Sequence, residues 1–150
     1  MASLGTRFVR ASLIGAAALG LAASPASAVV KNFISVINAG QEVPATTSNS
    51  FGVGFYTFDT QTKALCWQIS YNGTDLSSAE NAAHIHGPAS PGVDGVIIIG
   101  LPLGSPKNGC QAIDAATESA LKKGQLYVNV HTINNTGGEI RGQIIPVKGK

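Results

Sequence analysis

The stretch Phe51-Gly-Val-Gly-Phe-Tyr-Thr-Phe-Asp-Thr-Gln-Thr-Lys-Ala-Leu-Cys-Trp-Gln-Ile-Ser-Tyr71 decides the fold class. Phe51, Val53 and Phe55 alternate with Gly52, Gly54 and Tyr56, and Leu65, Trp67, Ile69 and Tyr71 alternate with Cys66, Gln68 and Ser70. Successive side chains on a strand point to opposite faces, so both runs read as half-buried antiparallel strands, with Asp59 to Lys63 as the turn between them. On either side lie further short runs bounded by Gly, Pro or Asn: Phe33 to Asn38, Ala82 to His86, Val96 to Ile99, Gln125 to Thr132 and Glu139 to Ile145. One short helix is predicted, capped by Asp114, favoured by Ala115, Ala116, Ala120 and Leu121, suited in its last turn by Lys122 and Lys123, and ended by Gly124. About seven short strands with a single small helix argue for an all-β sandwich or barrel in one domain.

The first 28 residues read as a targeting segment. Arg7 and Arg10 form a positive end, Ala11 to Ala23 is an apolar stretch too short for a permanent membrane span, and Ala26-Ser27-Ala28 is a small-residue cleavage pattern. Cleavage after Ala28 is expected, giving an exported product of residues 29–150, secreted or periplasmic. Removing Arg7 and Arg10 leaves eight Lys and Arg against eight Asp and Glu. A neutral mature chain lacks the electrostatic footprint of a general nucleic-acid binder and the basic surface that holds a protein on anionic lipid. Neither nucleic acid nor, after cleavage, a membrane is expected as a partner; a protein or a surface glycan is the class left open, and the charge balance does not choose between them.

Export also decides how the two cysteines are read. In an oxidising compartment Cys66 and Cys110 are expected to form a disulfide. Closing a loop of about 45 residues contributes roughly 4 kcal/mol in the chain-entropy treatment.

Three histidines occur in the whole chain. His84 and His86, in His-Ile-His, project from one face of a strand while Ile85 points to the other. His131 ends Leu126-Tyr-Val-Asn-Val-His131, where Leu126, Val128 and Val130 make the apolar face and Tyr127, Asn129 and His131 the opposite one. If the two strands are neighbours, three ring nitrogens converge. Neutral imidazoles suit copper or, as the alternative, zinc, with a fourth position open to water or a small anion. Each ligand also needs its second ring nitrogen held by a carbonyl or carboxylate. The competing reading has the histidines bonding the backbone of neighbouring loops and fixing the turn at Gly87-Pro88-Ala89.

Near the C-terminus, Ile140 and Ile144 are expected to face the core, which puts Glu139, Arg141 and Gln143 on the outer face. Arg141 is a candidate to attract an anion beside a metal or to support its ligands, and Glu139 a candidate to pair with it across the surface. Glu42, in Gln-Glu-Val-Pro, is expected to be a solvated carboxylate. No nucleophile elbow, phosphate-cradling glycine loop or Ser-His-Asp order is present, so no catalytic residue is assigned.

Four blocks carry a family resemblance: Gln41-Glu-Val-Pro44, Ala83-His-Ile-His-Gly-Pro-Ala89, Gly124-Gln-Leu-Tyr-Val-Asn-Val-His-Thr132 and Gly138-Glu-Ile-Arg-Gly-Gln143. Together they resemble the CHRD domain, a module named for its repeats in chordin and also found singly in exported bacterial proteins. The resemblance covers residues from about Asn32 to Ile145 and implies an exported, non-catalytic module. The layout is also similar to the copper side of Cu,Zn superoxide dismutase, an Ig-like β-sandwich, and implies a fold of that kind. On that similarity His84, His86 and His131 match copper ligands and Arg141 an anion-guiding arginine, which makes a copper-dependent enzyme acting on superoxide the alternative function. That family has a further, metal-bridging histidine and a zinc loop, whereas this chain has no fourth histidine and only a short stretch from Gly87 to Gly95.

Overall fold

The computed structural model describes residue 1 and residues 28–148, so the body of the expected leader lies outside the described residues. Eight strands and one helix follow in the order β1 (Val30–Asn38), β2 (Phe51–Asp59), β3 (Ala64–Tyr71), β4 (Glu80–His86), β5 (Ile97–Gly100), β6 (Lys107–Ala112), α1 (Ala115–Lys122), β7 (Leu126–Thr132) and β8 (Ile140–Pro146). Every neighbouring pair is antiparallel, and the strands form one ladder in the order β5-β4-β7-β8-β1-β2-β3-β6. The fold is an all-β sandwich with one short helix, made by a single sheet curled over its own inner face. Among the described residues no helix is long and apolar enough to cross a membrane.

The inner face is the core. Phe33, Ile37, Tyr56, Phe58, Leu65, Trp67 and Ile69 from β1 to β3 meet Ala83, Ile85, Leu126, Val128, Val130, Ile140 and Ile144 from β4, β7 and β8. Burying apolar area of this kind is the main favourable contribution to folding, worth about 25 cal/mol per Å². α1 adds Ala120 and Leu121 to the same cluster. Its start is as expected: the Asp114 carboxylate accepts from Thr117 N–H at 2.7 Å. Gly124 follows with φ +68°, a left-handed turn that suits glycine.

Two features go beyond the pattern read off the sequence. In β2 the alternation holds, but Gly52, Gly54, Tyr56 and Phe58 are the buried side, while Phe51 and Phe55 face outward at 55 % and 56 % exposure. The reason lies at Gly54, where a Cβ would come within 2.6 Å of Ser35 Oγ and 2.3 Å of Tyr56 Oη, a space already taken by the bonded Ser35–Tyr56 pair. β6 is the strand that alternation does not reveal. Its sequence, Lys-Asn-Gly-Cys-Gln-Ala, is held to β3 by the register Cys66↔Cys110, and those two cysteines form the disulfide. Lys107 anchors its start, with Nζ donating to Pro102 O at 2.7 Å and Gly104 O at 2.8 Å and paired to Glu80.

Candidate metal centre

Strand geometry brings the histidines together. β4 lies beside β7 in a register that sets Ala82 opposite His131, His84 opposite Asn129 and His86 opposite Tyr127. His84 and His86 share a face of β4, and His131 reaches them diagonally from β7. His84 Nδ1 lies 3.2 Å from His131 Nε2, and the three residues offer ligand atoms all within 4.8 Å of one another. The rings pack in T-shaped pairs, with His84 centred 5.3 Å from His86 and 5.0 Å from His131.

Hydrogen bonding selects the tautomers of two rings. His86 Nδ1 faces the carbonyl of Gly95 at 3.0 Å, and His131 Nδ1 faces the carbonyl of Thr136 at 2.8 Å. A carbonyl only accepts, so each Nδ1 carries the hydrogen and each neutral ring keeps its lone pair on Nε2. His131 Nε2 points to His84, and His86 Nε2 is buried with no hydrogen-bond partner. One nitrogen of each of these two rings secures a loop, to Gly95 and Thr136, and the other is left facing the group. His84 is partly exposed and forms the mouth of the cluster. Burial, followed by the neighbouring histidines, lowers the pKa of His84. Burial likewise lowers that of His86, against the raising effect of the Gly95 bond. Both rings are thus biased to the neutral form that ligates metal.

The loop between β4 and β5 roofs this half of the outer face. Gly95 clamps two residues at once, its carbonyl accepting from His86 and its N–H donating to Tyr127 Oη at 3.1 Å. No side chain fits there, since a Cβ on Gly95 would stand 2.9 Å from Gly87 Cα and 3.1 Å from Ala89 Cβ. Tyr127 stacks on His86 with ring centres 4.9 Å apart and planes 7° from parallel. The Arg141 guanidinium lies 3.5 Å from the Tyr127 ring centre. Because β7 runs between β4 and β8, Tyr127 separates the imidazole from the guanidinium.

Arg141 and Glu139 are buried and do not pair with each other, contrary to the surface ion pair expected from their spacing. Arg141 is 1 % exposed, and its NH groups donate to Asp94 at 3.2 Å and to the Val93 carbonyl at 2.7 Å. Its charge is committed to the roof. Glu139 accepts from Ser77 N–H and Oγ, Thr132 Oγ1 and Asn135 Nδ2. Burial pushes its carboxyl up, but the hydroxyl and amide donors outweigh that and hold it down at about 2. The sequence places these residues on the correct face; it does not show the loops that cover it.

Glu42 is the functional-looking residue that sequence reading misplaces. It is buried, its Oε1 has no partner, and it lies against Gly138, where a Cβ would come within 2.5 Å of Oε1 and 2.7 Å of Asn129 Nδ2. Burial raises its pKa to about 7, against the lowering pull of the Val43 N–H and the Arg141 charge. A cavity of about 240 Å³ lies beside it, lined by Gln41, Val43, Pro91, Gly92, Arg141 and Gln143.

These positions fall within a stretch, residues 33–144, that matches the CHRD domain family. The chain belongs to the CHRD family. Within this CHRD domain the matched span runs from β1 into β8 and takes in all three histidines, Arg141 and both cysteines. No curated protein and no solved structure matches the chain.

Proposed function

We propose that this CHRD domain is an exported, non-catalytic module that holds one copper or zinc ion through His84, His86 and His131. The observation that carries the reading is the pair of pinned tautomers, with Nε2 of His86 and His131 turned toward a third imidazole and His86 Nε2 buried without a partner. A neutral imidazole deprived of a hydrogen bond in a buried position costs about 1–3 kcal/mol, a penalty that a bound metal would remove. The ligand set of three nitrogens suits both ions, and copper leads because it binds such donors more tightly than zinc. The backbone carbonyls of Gly95 and Thr136 would orient the two ligands and raise their basicity. Export is supported by the leader pattern, by the Cys66–Cys110 bridge and by the family.

Equilibrium dialysis of the purified protein at neutral pH tests the proposal. One equivalent of copper or zinc is expected, with affinity lowered more than about 100-fold in His86→Ala. Uptake that is absent, or unchanged in the variant, overturns it and leaves the histidines as loop fasteners in a protein- or glycan-binding module. The copper redox alternative has its own measure: dismutation of superoxide by the copper-loaded protein faster than by free copper.

A further inference from the structure

We infer that Asn129 closes the histidine group, its amide oxygen supplying a fourth and weaker donor, so that the ion is held without an open coordination position. The inference rests on the three-histidine reading and adds to it a ligand that the spacing of the histidines does not reveal. Asn129 lies on β7 two residues before His131, and the strand register sets it opposite His84 on one side and Arg141 on the other. Residues directly opposite on an antiparallel pair stand about 4.5–5.5 Å apart at Cβ and diagonal ones about 7–8 Å, which puts Asn129 within reach of His84 and, diagonally, of His86. In the middle of this group Asn129 is only 3 % exposed, and its Oδ1 has no hydrogen-bond partner.

The neighbours of the amide distinguish its two ends. A Cβ on Gly138 would stand 2.7 Å from Asn129 Nδ2 and 2.5 Å from Glu42 Oε1, so the NH2 end and the Glu42 carboxyl border the same space. Against the burial that raises the pKa of Glu42, Asn129 acts as a donor that lowers it. Against the burial that lowers the pKa of His86, Asn129 acts beside the Gly95 carbonyl as an acceptor that raises it. Nδ2 is therefore turned to the carboxyl and Oδ1 to the ring. His86 Nδ1 is spent on Gly95, so the nitrogen that Oδ1 meets is Nε2, itself buried without a partner. Two acceptors thus face each other with no hydrogen between them, and such a pair calls for an electrophile that both can share. A metal ion there also has ligand nitrogens of His84 and His131 within 4.8 Å of that of His86. Arg141 does not relieve the oxygen, because its NH groups are given to Asp94 and the Val93 carbonyl. An amide oxygen serves copper as a weak axial donor beside stronger ligands. A centre that turns over a substrate keeps one position free, whereas four protein donors make the closed arrangement of a structural one.

Water-proton relaxation of the copper(II)-loaded protein tests this, because an exchangeable water on the ion raises the relaxation rate per copper and an ion without one does not. The wild type is expected to carry no such water. Asn129→Ala should gain one, with a rise in relaxation, and Asn129→Asp, which keeps an oxygen donor, should lose it again. Circular dichroism checks that each variant is folded. An exchangeable water on copper in the wild type overturns the inference while leaving the three histidines as ligands, and that measurement needs no variant. Equal relaxation in wild type and folded Asn129→Ala overturns it as well. A wild type that takes up no copper overturns both this inference and the three-histidine reading beneath it.

Discussion

The outer face of the sheet has two halves built on the same antiparallel backbone and finished in opposite ways. Over β4, β7 and β8 it carries His84, His86, Tyr127, Asn129, His131, Arg141 and Gln143; the loop from Gly87 to Gly95 holds His86, Tyr127, Arg141 and Gln143, Thr136 holds His131, and His84 stays partly exposed. Over β1, β2 and β3 it carries Ile34, Val36, Val53, Phe51 and Phe55, and no described loop covers those. Polar side chains are thus enclosed while apolar ones stand in water, the reverse of simple sorting by hydropathy. Enclosure is tolerable only where buried polar atoms find partners. Most do here: Arg141 has Asp94 and Val93, Glu139 has its hydroxyls, and Gln143 Nε2 donates to Ala89 and Gly124. Four of the five exceptions among the described residues cluster here, His86 Nε2, Asn129 Oδ1, Glu42 Oε1 and Gln143 Oε1, while the fifth, Trp67 Nε1, lies on β3. Such a concentration is what supports the proposed site on this half.

The largest effect expected is on the histidines. His131→Ala removes one of three nitrogens and frees the Thr136 carbonyl, and should lower metal affinity more than about 100-fold by competitive titration. A smaller change would mean that the roofed half does not gather its ligands as described. Next comes the roof itself. Gly95→Ala has no room for its methyl group, so the loop must shift and release His86 and Tyr127 together. Affinity should fall by about 10–100-fold with all three ligands intact, the usual cost of losing a group that orients a ligand.

Two buried carboxyls sharpen the comparison within the roofed half. Glu139, at about 2 against an ordinary 4.5, contributes stability that is full above pH 4.5 and is lost as pH falls through 2. Glu139→Gln should therefore destabilise the protein by about 2 kcal/mol in urea unfolding at neutral pH, with the gap to wild type closing in acid. Glu42, at about 7 against 4.5, behaves in the opposite sense: the stability tied to its protonated form is full below pH 4.5 and is lost as pH rises through 7. Glu42→Gln should remove that decline, leaving the variant more stable than wild type by about 1 kcal/mol at pH 8. If both substitutions changed stability with the same pH trend, the contrast between a satisfied and an orphaned carboxyl would fail.

Much of this was legible in the sequence because it depends on local alternation. His84 and His86 share a face for the same reason that Ile85 does not, and Ile140 and Ile144 enter the core as their spacing requires. What alternation cannot supply is the cover. Arg141, Glu139 and Glu42 read as outward residues, and outward they are, yet long-range contacts from residues 89–95, Gln41 and Ser77 enclose them. β6 was hidden for a related reason: a polar edge strand tied by a disulfide and a buried lysine needs no hydrophobic period. Pattern also leaves open which side of β2 is buried; the glycines turn inward because the Ser35–Tyr56 pair fills the space beside Gly54.

X-ray absorption at the metal edge of the copper- or zinc-loaded protein tests the central claim most directly. Three imidazole nitrogens at about 2.0 Å are the expected first coordination sphere, with the imidazole contribution reduced in His86→Ala. A sphere of oxygen alone, or a spectrum that His86→Ala leaves unchanged, would contradict the account.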